Sequence, residues 1–167
     1  MKHIDKLNKL DACNEAVREA KKFKSGQAAW DNSARGDWML WLVGRISGKP
    51  ESAKRKKLVL CACECARLAL VHVPKGENRP LKAIETAEAW ARGEATIDEL
   101  RGARGEAWQC YATATATATA AAAADYAAAA CADYAAACAA ACARKDTLKK
   151  CADIVRKHYP KVPVVKL

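Results

Sequence analysis

The tract from Tyr111 to Ala143 constrains this chain more than any other feature: 21 of its 33 residues are alanine, interrupted by four Thr, three Tyr, three Cys and two Asp. Alanine combines the highest helix propensity with almost no side chain, so the run predicts long helix with a nearly smooth flank. The Ala/Thr alternation over 112–120 would by itself read as a strand. Its flanks argue for helix, where Thr113 and Thr117 become i,i+4 neighbours. A smooth flank lets helix axes approach closely but buries little area per residue, which favours pairing with a helix of the same kind and hence a homo-oligomer. Such a surface carries little chemistry, so binding or catalytic groups have to come from elsewhere.

Helical spacing continues outside the tract. Ala16, Val17, Ala20 and Phe23 mark a helix over 14–24 that Ser25-Gly26 stops, and a short second helix holds Ala28, Ala29 and Trp30. The turn Ser33-Ala34-Arg35-Gly36-Asp37 places Asp37 as N-cap of a helix through Trp38, Trp41 and Val43, ended by Gly48-Lys49-Pro50. A further helix runs from Glu51 to Val73, polar at Lys54-Arg55-Lys56-Lys57 and apolar from Leu58 onward. Pro80 suits the first turn of a helix that passes Ile84 and Trp90 to Arg92, with Gly93 as its stop. Thr96-Ile97-Asp98-Glu99 has the form of a capping box and starts another.

One straight helix from Thr96 to Tyr159 would span about 95 Å at 1.5 Å per residue. That far exceeds a domain whose radius of gyration is roughly 15 Å. A break is therefore expected near Gly102 and Gly105 or near Ala143-Arg144. The predicted architecture is an all-α, multi-helix bundle with a long alanine-rich C-terminal helix or helices. It forms a single domain over 1–167: a Trp-rich helical part at 1–95, the alanine-rich part at 96–160 and a tail at 161–167.

The formal net charge of +10 is uneven. Residues 1–67 hold 15 Lys/Arg against 8 Asp/Glu, residues 68–143 hold 6 against 9, and residues 144–167 hold 8 against 2. Basic ends attract anions such as nucleotides or acidic protein surfaces, although the surplus also serves solubility alone. The start of the chain lacks the apolar stretch of a leader, no segment reads as a membrane span, and the nine Cys are odd in number. Together these predict a reduced, cytoplasmic protein.

The densest group of expressive side chains is Trp30, Arg35, Asp37, Trp38, Trp41 and Arg45. Trp38 and Trp41 lie at i,i+3 and Arg45 follows Trp41 at i+4, so indole and guanidinium can stack. Such a group can hold an aromatic ring while arginine takes a phosphate. The competing reading makes the indoles plain core and Asp37 only a cap. Arg92, Arg156, His158 and Tyr159 are further candidates for an anion site, the last three at a helix C-terminus where cations are favoured in any case.

Metal chemistry finds little support. In Cys61-x-Cys63-x-Cys65, residues two apart on a helix point about 200° apart and do not converge on one ion. Cys131, Cys138 and Cys142 share a helix face, but small cysteines packed beside alanine account for them. Lys54–Lys57 is a basic run without interleaved aromatics, the habit of a solvated helix end rather than a nucleic-acid patch. There are only three histidines, no nucleophile elbow and no Gly-rich phosphate loop. The reading is a non-enzymatic binding protein without a cofactor.

The segments Ala29-Trp30, Arg35-Gly36-Asp37-Trp38-Met39-Leu40-Trp41-Leu42, Lys57-Leu58-Val59-Leu60 and Cys65-Ala66-Arg67-Leu68-Ala69-Leu70 resemble an immunity-protein family of phages, prophages and bacteria. So do residues 83–96, AIETAEAWARGEAT, and 151–160, CADIVRKHYP. The alanine tract is similar to that family's variable Ala/Asp/Tyr-rich repeat, with Thr and Cys in place of many Asp. The resemblance implies a phage-type anti-defence role. Two forms are open: a sponge that sequesters an anionic nucleotide signal, ADP-ribose-derived or cyclic, or an inhibitor that binds a toxin or defence enzyme directly. In the first, Trp30, Trp38 and Trp41 with Arg35 and Arg45 would hold the ligand, assisted by Arg92, Arg156, His158 or Tyr159.

Overall fold

The computed structural model describes residues 2–49, 51–73, 75–109 and 145–164. The alanine tract, its Ala/Thr alternation and Cys131, Cys138 and Cys142 lie outside the described residues. Among those described the chain is all-helical, with eight α-helices and no strand. They are α1 His3–Lys9, α2 Asn14–Ala20, α3 Gly26–Asn32, α4 Gly36–Ile46, α5 Ala53–Arg67, α6 Arg79–Arg92, α7 Ile97–Gln109 and α8 Lys145–His158.

Local chemistry sets most of these ends. Ser25 Oγ accepts from the Ala28 N–H at 3.1 Å and starts α3. Ser52 Oγ does the same for the Arg55 N–H and starts α5. Pro80 occupies the first turn of α6, and Gly93 closes it at φ +87°, a left-handed conformation that glycine adopts without strain. Ahead of α7 the capping box is complete: Thr96 N–H and Oγ donate to Glu99 Oε2 at 2.7 and 2.8 Å, and Glu99 N–H donates back to Thr96 Oγ at 3.2 Å. Those donors hold the Glu99 carboxyl below its ordinary pKa.

Three elements differ from the sequence expectations. Asp37 does not cap α4, because the helix begins two residues earlier than expected, at Gly36, and Arg35 stands at the cap position. The helix expected to reach Val73 ends at Arg67, and the chain tightens into a 3-10 turn at Leu70–His72 that leaves Val71 80% exposed. α7 continues through Gly102 and Gly105 without a break, while Ala143-Arg144, the other place where one is expected, lies outside the described residues.

α5 is the hub of the bundle. It packs on α4 and α8 and on α6, and α6 in turn carries α7. Leu40 and Val43 of α4, Leu58, Val59 and Ala62 of α5, and Cys151, Ala152 and Val155 of α8 meet in one core, which also takes Ile84, Trp90 and Leu100. Ala83, Ala103 and Ala107 form a separate seam between α6 and α7, where the small side chains permit close approach. Among the described glycines the tightest approach is at Gly36, which lies against Cys151 and Ala152 of α8 with no room for a side chain.

In the basic run at the start of α5, Lys54 and Lys57 are exposed, as a solvated end requires, but Arg55 is not. Arg55 is only 5% exposed and donates from Nη1 to Gly44 O at 3.1 Å and from Nη2 to Gly48 O at 2.8 Å. It thereby adds a second donor to Gly44 O, which already accepts the Ser47 N–H at 3.4 Å, and reaches the Gly48 carbonyl in the turn after α4. Lys56 lies over the Trp90 ring and Lys57 over the Tyr159 ring, at 5.8 and 4.8 Å.

The short helices α1, α2 and α3 touch one another in sequence order and rest only lightly on the rest of the bundle. Residues 159–162 tie α3 down. Trp30 Nε1 donates to Tyr159 O at 2.9 Å, and Gln27 accepts the Val162 N–H at 2.8 Å while donating to Pro160 O at 3.3 Å. Between this N-terminal layer and α4 the packing leaves a hollow.

Candidate functional site

The hollow has a volume of about 600 Å³. Its apolar wall is built from Leu7, Phe23, Trp30, Trp38, Met39 and Trp41, with Val162 and Pro163 at one lip. α4 supplies the platform, since Trp38, Met39, Trp41 and Leu42 all line it. The i,i+3 spacing of the two indoles sets them on one helix face, as the sequence predicts. Both are half-buried, whereas Trp30 on the facing α3 is only 4% exposed and fixed through its N–H to Tyr159 O. Trp30 therefore serves the core and the wall together.

Arg35 is the cation closest to the indoles. Its guanidinium carbon lies 4.0 Å from the centroid of the Trp38 ring, a stacked cation–π arrangement. Asp37 holds it in place, accepting from Nε at 2.9 and 3.1 Å and from Nη2 at 2.6 Å. Asp37 is 5% exposed, and this fork is what permits its charge to be buried in the first turn of α4. The hydrogen bond to Asp37, opposed by burial and helped by the charges of Asp37 and Glu15, raises the Arg35 pKa above its ordinary value. The expected cap is thus a clamp on the arginine.

Of the residues that the sequence marks as candidates, Trp30, Arg35, Trp38 and Trp41 line the hollow. Arg45 lies one turn past Trp41, with its guanidinium 6.0 Å from that ring and 4.0 Å from Asp11, and is outside the lining. Arg156 stands behind the wall: Nη1 donates to Trp30 O and Ser33 O at 3.2 and 2.8 Å, so it holds the end of α3 and the linker that carries Arg35. His158 pairs with Glu64 of α5 at 2.8 Å, and Lys157 joins the same carboxylate at 3.0 Å. Those two donors, His158 foremost, lower the Glu64 pKa. Tyr159 buries its hydroxyl with no hydrogen-bond partner among the described residues, and desolvation pushes its pKa far up. Arg92 pairs with Glu94 at the end of α6 and does not touch the hollow.

Sequence reasoning misses His3, Lys6 and Leu7 on α1 and Gln27 on α3, all of which line the hollow. α1 is seven residues long, preceded by Lys2 rather than a Ser, Thr, Asp or Asn, and contains no buried residue, so its signal is weak.

No group of three or more His, Cys, Asp or Glu among the described residues is placed to hold a metal ion. Cys61, Cys63, Cys65 and Cys151 are buried free thiols. Hydrogen bonding with Cys151 and Cys61, together with burial, keeps the Cys65 thiol protonated well above the usual range. No helix among the described residues is long and apolar enough to cross a membrane. Comparison with protein-family models, with curated proteins and with solved structures finds no match to this chain.

Proposed function

We propose that this is a non-enzymatic, phage-type anti-defence protein of the immunity-protein kind, which sequesters an anionic nucleotide signal in the hollow between α1–α3 and α4. The observation that carries the reading is a concave space of about 600 Å³ walled by three indoles and bearing a fixed arginine. Small-molecule sites typically occupy roughly 300 to 1,000 Å³ and are mostly apolar with a few placed polar groups. A nucleobase stacks on the indoles of Trp38 or Trp41, and the net charge of +10 draws its phosphate toward the protein. Function in a cytoplasm and self-association through the alanine tract belong to the same proposal. Light scattering that returns a clean monomer would remove the second of these.

The test is isothermal calorimetry, with tryptophan fluorescence alongside, against cyclic and linear ADP-ribose derivatives and cyclic nucleotides. Binding at micromolar concentration that quenches indole emission is the expected result. Trp38→Ala is expected to weaken it by about tenfold, from the loss of a stacking partner at an otherwise open site. Absence of any heat or quenching across the panel would end the reading.

A second reading is supported by the exposed cations Lys54, Lys57, Lys149, Lys150 and Lys161, which offer a basic exterior to an acidic partner. In that case the protein inhibits a toxin or defence enzyme by direct contact, and association slows steeply as salt rises. Affinity capture separates the two: a protein partner favours the second reading, and a co-purifying compound with nucleotide absorbance favours the first.

A further inference from the structure

The charges on the hollow's wall narrow what it can hold, an argument that rests on the nucleotide reading above. Arg35 is committed to Asp37 and also reaches Glu15 at 3.5 Å. Glu19 is engaged by Lys22. His3 Nε2 lies 3.2 Å from Ala20 O, Gln27 is engaged by Asp31, Pro160 and Val162, and Asn32 donates to Ala28 O at 2.9 Å. Lys6, in the last turn of α1, is different. It is half-buried, it lines the hollow, and its ammonium has no hydrogen-bond or ion-pair partner among the described residues.

The hollow therefore offers one uncommitted cation beside an apolar, indole-lined space. A second anionic group would meet in Arg35 a guanidinium whose charge is already offset by the buried Asp37 and by Glu15, so it would gain little there. A third would face Glu15 and Glu19 on the same wall. Both effects disfavour a chain of phosphates.

We infer that the ligand of this hollow is a flat aromatic ring bearing one anionic group, a nucleoside monophosphate or cyclic mononucleotide rather than a polyphosphate, with Lys6 as the contact for that group. Arg35 then acts on the ring as part of the Trp38 stack, and Lys6 alone reads the charge.

Adenosine, AMP, ADP and ATP, titrated into the full-length protein and into Lys6→Met while indole emission is followed, test this. AMP is expected to bind about tenfold tighter than adenosine, the worth of one charge-assisted hydrogen bond. ADP and ATP are expected to stay within about threefold of AMP. Lys6→Met is expected to bring AMP to the adenosine level and leave adenosine unchanged, the unchanged adenosine value showing that the hollow is intact. ATP binding ten or more times tighter than AMP overturns the inference, and so does a Lys6→Met protein that keeps the AMP preference. Four compounds that all fail to bind overturn it as well, and each of these results leaves the nucleotide reading to be decided by the panel of ADP-ribose derivatives and cyclic nucleotides above.

Discussion

Replacing Gly36 by alanine probes the contact on which the site's platform depends. A Cβ at this position would lie 2.5 Å from Cys151 Cβ, 2.6 Å from Ala152 N and 2.7 Å from Cys151 C. Non-bonded carbons are comfortable at about 3.5 to 4.0 Å, so α4 would have to withdraw from α8 by roughly 1 Å. Two of the three obstructing atoms belong to the α8 backbone, within the core that Cys151 and Ala152 share with α4, and cannot rotate away. Overpacking costs about 1 to 3 kcal/mol, and a backbone obstruction belongs at the top of that range. The better helix propensity of alanine returns at most about 1 kcal/mol. A net loss of about 2 kcal/mol corresponds to a Tm fall of roughly 4–8 °C at this chain length. Urea unfolding followed by far-ultraviolet circular dichroism measures it, with Gly102→Ala and Gly105→Ala as controls. A Cβ at either of those helical positions meets nothing within 4 Å, so each is expected to stabilise by about 0.5–1 kcal/mol. A Gly36→Ala protein within about 0.5 kcal/mol of the parent, the scatter of neutral substitutions, refutes the packing argument.

Two further perturbations test the supports around the site. Arg55→Met keeps an unbranched apolar stem but abandons the carbonyls of Gly44 and Gly48, and is expected to cost about 2 kcal/mol in urea unfolding. A loss under about 0.5 kcal/mol would mean that water satisfies those carbonyls equally well. Glu64 has a folded pKa below its ordinary value of 4.5, so its contribution is present above that value and is lost as pH falls through the folded pKa. Stability measured from pH 6 down to pH 3 is therefore expected to fall less in Glu64→Gln than in the parent, by about 0.5 kcal/mol for a pair this exposed. An identical acid limb in both proteins would show that the His158 and Lys157 contacts contribute nothing.

Helix ends were legible where one residue type does one local job. Pro80 opens α6, Gly93 closes it, and Thr96 with Glu99 opens α7, because first-turn proline, left-handed glycine and a capping box act within four residues. The pairing of Trp38 and Trp41 on one face followed from helical periodicity in the same way. What could not be read was anything decided by a partner far along the chain. Asp37 is a local exception: it has the composition of a cap, but Arg35 two residues before it recruits its carboxylate. Arg55 sits in a run that looks like exposed charge, and only the end of α4 explains its burial. Arg156 and His158 look like ligand groups and instead hold Ser33 and Glu64. Lys6 was invisible for a related reason: a lone lysine in a seven-residue helix gains meaning only from the hollow that it lines together with the indoles.

The bonds from Tyr159 O to Trp30, from Arg156 to Ser33 and from Val162 to Gln27 join residues 123 to 135 positions apart. During synthesis, α1 to α3 leave the ribosome long before the segment that pins α3, and α4 emerges without the α8 surface that Gly36 needs. A nascent chain can complete its central helices and still lack a closed hollow. The closed hollow is thus a property of the finished molecule, and a stalled or clipped product missing residues beyond about 155 would fold in part without it.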